Sequence, residues 1–174
     1  MTIPTYQGAA TLLPAVQRCL ETNLPTVLAA ASSGLGFTLD DVRKFWRGES
    51  IPSDANTPGV GVWIEQSANR SPSGFNGYDT DHTVVLSLLT SSANASAGTL
   101  SEYTDAVHGY AEALAYTLNR YFTGAGSEGA AVGAYEVETL DTTPIPLDEV
   151  DQGQFNTHTT IRLRVRQRMP RWES

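Results

Sequence analysis

The sequence predicts an α+β fold. One domain spans residues 1–174, with a small, mostly antiparallel sheet of about four strands and helices packed on one face, in the order α-α-β-β-α-β-β. Three observations predict it. Two long segments repeat apolar residues every three or four positions, as an amphipathic helix does. Four segments alternate at period two, as strands do. Stretches rich in Ser, Asn, Gly and Pro separate them. Hydrophobic residues make up 40% of the chain and charged residues 17%, a balance that folds around a core rather than staying disordered.

Residues 1–10 form a flexible arm. "TLLPAVQRCLETNLPTVLAAASSG" then places Leu13, Val16, Leu20, Leu24, Val27 and Ala31 on one helical face. Pro14 suits a first turn, whereas Pro25 predicts a break near Asn23. A short second helix is expected over "LDDVRKFWRG", with Thr38 as its N-cap and Gly48 as its stop. Val60–Gln66 and "DHTVVLSLLTSS" read as strands, the second apolar on both faces. The loop 67–78 between them should protrude. "TLSEYTDAVHGYAEALAYTLNRYF" is the strongest helix. Thr99 and Glu102 form a capping box, and Leu100, Tyr103, Val107, Tyr110, Leu114, Leu118 and Tyr121 form a core stripe. "TGAGSEGAAVG" is a flexible link. "AYEVETL" is a third strand with Tyr135 and Val137 inward and Glu136 and Glu138 outward, followed by an acidic loop at 141–154. "THTTIRLRVRQRM" is the last strand, with Ile161, Leu163, Val165 and Met169 inward and Arg162, Arg164, Arg166 and Arg168 outward. Residues 170–174 are a tail.

Chemistry-bearing patterns are sparse. The single cysteine, Cys19, allows no intrachain disulfide and sits as a core filler on the first helix. Asp79, Asp81 and His82 invite a metal reading, but neighbours in a strand point to opposite faces. His108 lies beside the stripe of the long helix, as a partly buried or interfacial group. The glycine-rich link has a helix before it and a strand after it, the reverse of a phosphate-binding loop. No catalytic, cofactor or metal residues are assigned, and the chain reads as non-enzymatic. No segment reaches the length of an apolar membrane span, and the N-terminus lacks a secretory pattern.

Charge is unevenly placed. Residues 162–174 hold five arginines and one glutamate, while the rest holds six basic and eighteen acidic residues. The acidic body argues against general nucleic-acid binding. Glu136 and Glu138 can face the arginines across a strand pair, but two glutamates leave arginines over. Those surplus arginines are left to solvent, to the acidic loop from Asp141 to Asp151, or to a neighbouring subunit, and with Trp172 they are the candidates for a partner interface.

The layout also resembles a known family. A proline-containing helix ("VQRCLETNLPTVLAAA"), a strand pair ("VGVWIEQ", "DHTVVLSLLT"), a long helix ("LSEYTDAVHGYAEALAYTL") and a last hairpin ending "TIRLRVRQR" resemble the tail terminator proteins of tailed bacteriophages and related head–tail joining proteins. The resemblance covers about 12–168 and rests on order and texture. It implies a structural virion protein in the tail or neck, assembled in the host cytoplasm. Such a protein forms a ring, usually a hexamer, on the tail tube, stops its growth and meets the head connector. DNA passes through without specific binding, and no cofactor or membrane is involved. Another neck, stopper or tube component is the alternative, followed by a small ligand-binding module.

Overall fold

The computed structural model describes residues 9–53, 56–70, 77–92, 99–144, 148–151 and 154–170. The first element, α1 (Ala9–Leu35), buries Val16, Leu20 and Leu24 of the anticipated face, but Leu12, Cys19 and Leu28 complete its core side, and Leu13, Val27 and Ala31 are only partly buried. It begins inside the supposed arm, whose residues 1–8 lie outside the described set. It also runs unbroken through Pro25, against the expected break near Asn23. Pro25 and Glu21, the residue whose carbonyl loses its amide partner, are both exposed, so the lost hydrogen bond is not a buried one.

The expected second helix is absent. Lys44–Arg47 is instead a strand, β1, parallel to β2 (Gly59–Asn69) in the register Trp46↔Gly61. Tertiary packing overrides the local helical signs here: the Trp46 indole lies against Gly59 and Gly61, and a Cβ on Gly61 would come within 2.6 Å of the ring. β2 pairs antiparallel with β3 (Gly77–Ser91). The proposed 67–78 loop is therefore shorter than expected: 67–69 and 77–78 are strand, and 71–76 lie outside the described residues.

α2 (Leu100–Tyr121) carries the capping box, with Thr99 Oγ1 accepting from the Glu102 amide and Glu102 accepting from the Thr99 amide. Tyr103, Val107, Tyr110, Leu114 and Leu118 of the stripe are buried, each large side chain contributing about 1.5–3 kcal/mol. Its two ends depart from expectation: Leu100 and Tyr121 are exposed. The glycine-rich link is not simply flexible, because Ser127 caps a one-turn helix, α3 (Glu128–Ala131).

β4 (Ala134–Pro144), β5 (Asp148–Asp151) and β6 (Gln154–Pro170) complete the sheet. The acidic 141–154 segment is thus largely strand, with 145–147 and 152–153 outside the described residues, as are 171–174 with Trp172. The order across the sheet is β1-β2-β3-β6-β4, with β5 also on β6. The sheet is mixed and has five main strands plus β5, where about four and mostly antiparallel were expected. Helices cover one face: α1 packs near β1 and β2, and α2 near β6 and β4. Val60, Val62, Val84, Leu86, Ile161, Leu163 and Val165 meet them in the core.

Candidate interaction surface

The chemistry of this protein gathers on the sheet face away from the helices. Period two along β6 sends Ile161, Leu163 and Val165 into the core and Arg162, Arg164, Arg166 and Arg168 to the other side. β4 carries two bulges, where the register passes from Ala134↔Gln167 to Glu136↔Arg166 and from Thr139↔Leu163 to Asp141↔Arg162. The first makes Tyr135 an extra residue and turns it out, at 43% exposure, so its expected inward position is wrong and Ala134 fills the core instead.

Every arginine of the ladder meets a carboxylate of its own chain. Arg162 lies between Glu65 (3.0 Å) and Asp141 (3.3 Å). Arg164 binds Glu138 at 2.9 Å. Arg166 donates to Glu136 and stands 3.4 Å from Asp81, a long ion pair rather than a hydrogen bond. Arg168 pairs with Asp79 at 3.2 Å, and its guanidinium lies 5.4 Å from the centre of the Tyr135 ring, whose hydroxyl donates to the same aspartate. Hydrogen bonding to Glu65 and Asp141 pushes the Arg162 pKa up, and Glu136 does the same for Arg166. The surplus expected from two glutamates does not exist, because Glu65 of β2, Asp79 and Asp81 of β3 and Asp141 of β4 supply the missing carboxylates. Asp79 and Asp81 share the period-two spacing of Arg166 and Arg168 in the sequence, but only the β3–β6 register matches them. Exposed pairs of this kind are screened by solvent, so the ladder patterns a surface more than it holds the fold.

The same face changes character toward β1. Trp46 and Trp63 stand there with Val85 and Ser87. The Nε1 atoms of both tryptophans, Ser87 Oγ and His158 Nε2 are buried without a hydrogen-bond partner among the described residues. Burial also holds the His158 pKa below its ordinary value.

His82 belongs to the inner face, opposite to Asp81, as strand alternation requires. Its Nε2 lies 2.9 Å from Gln167 Oε1, while Gln167 Nε2 donates to the Val132 carbonyl at 2.7 Å. The glutamine amide is thus fixed, so His82 donates from Nε2 and accepts from Ser67 Oγ at Nδ1, 2.8 Å away. Burial lowers the His82 pKa, against the opposing pull of Gln167 and Asp81. Both nitrogens are committed to tying β2, β3 and β6 to the α3–β4 turn. Cys19 is buried, and burial pushes its thiol up to about 11 despite the Asn23 hydrogen bond. Among the described residues no group of three or more His, Cys, Asp or Glu side chains could hold a metal, and no helix is long and apolar enough to cross a membrane.

Hollows lie elsewhere among the described residues. A groove of about 510 Å³ between α1 and α2 has Val27, Ala31, Leu35 and Ala113 in its walls, and His108 is exposed on its rim, not partly buried. A second, of about 240 Å³, lies on the α1–β1 flank between Glu21, Leu24, Pro25, Leu28, Val42 and Phe45.

No family model and no curated protein matches the chain. Among solved structures it is similar to a chain of the "Virion of native gene transfer agent (GTA) particle", with 15% identity, a TM-score of 0.45, and cover of 92% of this chain and 96% of that one. A likeness of that degree leaves the functional reading to the residues themselves.

Proposed function

We propose that this chain is a structural protein of a phage-like particle, a tail terminator whose copies form a ring on the tail tube, stop its growth and meet the head connector. The observation that carries the reading is the ladder face. Chemistry here is spread along a rigid sheet as alternating, mutually paired charges beside two tryptophans, instead of converging on a pocket. Such a face suits contact with another protein. The layout resemblance over 12–168 supplies the kind of assembly, and the formal charge of −8 suits a lumen past which DNA slides. Arg162, Arg164, Arg166, Arg168, Glu136 and Glu138, with Trp172 beyond the described residues, are the proposed contact groups.

Electron microscopy of the purified protein, alone and with tail tubes, tests the proposal. Rings or capped tube ends are expected, and a protein that neither assembles nor binds tubes overturns it. The groove between α1 and α2 favours a second reading, a small ligand-binding module. Saturable binding of a small apolar ligand by a protein that ignores tubes would select that one.

A further inference from the structure

The two flanks of the sheet are unlike, and they match each other. One flank is β1, an edge strand of sequence KFWR that carries Lys44 and Arg47 and no acid. Arg47 is exposed. Above β1, between it and α1, lies the 240 Å³ hollow, lined by the apolar side chains of Leu24, Pro25, Leu28, Val42 and Phe45 with one acid, Glu21. The other flank is β4, also an edge, which carries Glu136, Glu138 and Asp141 and no base. These carboxylates keep side-chain exposures of 43%, 51% and 49% within their ladder pairs, so each has oxygen lone pairs left for a second donor. Beside them the second β4 bulge turns out Leu140, 39% exposed.

We infer that copies of this chain join head to tail, the basic β1 flank of one copy against the acidic β4 flank of the next, with Leu140 seated in the α1–β1 hollow. This rests on the ring reading and names the surfaces that make the ring. Three features converge on it. Among the described residues no strand pairs with the outer edge of β1 or of β4, so both are edge strands on which a further strand or flank can dock. The charges of the two edge strands are opposite. An exposed apolar side chain on one flank answers an apolar hollow on the other. An interface between two different patches is heterologous, and repeating it closes a ring or grows a filament, whereas a two-fold contact would stop at a dimer.

The test uses two variants of the full chain, Arg47→Glu and Leu140→Asp. Both positions are exposed, and circular dichroism melts check that each variant folds. In sedimentation velocity over a concentration series, the wild type associates beyond a dimer, and each variant alone associates about tenfold more weakly or worse. Mixed one to one, the variants keep one good flank each. The intact β1 flank of Leu140→Asp meets the intact β4 flank of Arg47→Glu, and association stops at a one-to-one dimer. A mixture that regains full rings, variants that assemble like wild type, or a wild type that stays monomeric throughout overturns the edge assignment. Capping of tubes by that same wild-type protein is scored separately and decides whether the ring reading stands without it.

Discussion

Trp46 and Gly61 form a pair in which one residue exists for the other. The indole occupies the space that a β-carbon on Gly61 would fill, 2.6 Å from the ring atoms. Gly61→Ala therefore pushes the ring off the sheet and is expected to cost about 1–3 kcal/mol, read from chemical denaturation, with a shift in tryptophan emission. A change under about 0.5 kcal/mol would show that the ring moves aside freely. His82 makes a second prediction. Its folded pKa lies below the ordinary 6.5, so the unfolded chain binds its proton first as pH falls. Stability attributable to the neutral ring is whole above pH 6.5 and declines on acidification from there toward the depressed folded pKa. His158, also depressed by burial, adds to the same slope. His82→Gln should flatten part of that slope between neutral and mildly acidic pH, and an unchanged slope would assign it to His158 and the carboxylates. The sequence separates Asp81 from His82 by alternation alone. It does not show Gln167 as the histidine's partner, because that contact spans 85 positions.

At the scale of elements, periodicity carries far and stops at definite places. The faces of α1, α2, β3 and β6 follow from spacing, since each is long enough for burial to dominate. β1 does not. Its four residues sit among Asp40, Asp41 and Gly48, which resemble a helix start and stop, and only the glycines of β2 reveal what its tryptophan needs. The bulges of β4 are equally silent in the sequence, because alternation holds on either side of the inserted residue. Pro25 is the converse case, a signal that local rules overstate. A proline inside a helix costs about 3 kcal/mol when its lost hydrogen bond is buried, less where water reaches the carbonyl. Pro25→Ala should therefore raise stability by about 1–2 kcal/mol in thermal melts, with helix content unchanged. A fall in stability would mean that the ring's packing in the α1–β1 hollow outweighs the restored amide.

Across the described molecule, helices shield one face of the sheet, and the other carries the charge ladder on β6 and turns buried toward β1, where Trp46, Val85 and Ser87 lie. Glu136 and Glu138 of β4 were legible as partners of the arginines, and their pairing is as anticipated. The aspartates of β3 and Glu65 of β2 were not, since they join the ladder only when β2, β3 and β6 are laid side by side. A charge swap separates pattern from stability. Exchanging the partners in Arg164→Glu/Glu138→Arg keeps the intrachain pair, so melting should change by less than about 0.5 kcal/mol. Assembly measured by light scattering should nonetheless fall, because the contact surface now carries its charges in inverted places. Undiminished assembly would remove Arg164 and Glu138 from the interface.

β6 pairs with β3, β4 and β5 together, and its partners on β3 lie between 65 residues (Ser91↔Asn156) and 93 residues (Gly77↔Pro170) away. A nascent chain leaving the ribosome thus holds β1, β2, β3 and both long helices well before the strand that joins β3 to β4 emerges. Until then β3 exposes a long apolar edge and β4 has no place in the sheet. Synthesis itself sets the order of events: the flank bearing Glu136, Glu138 and Leu140 is completed last. Copies still being translated hold no finished acidic flank with which to seize their neighbours.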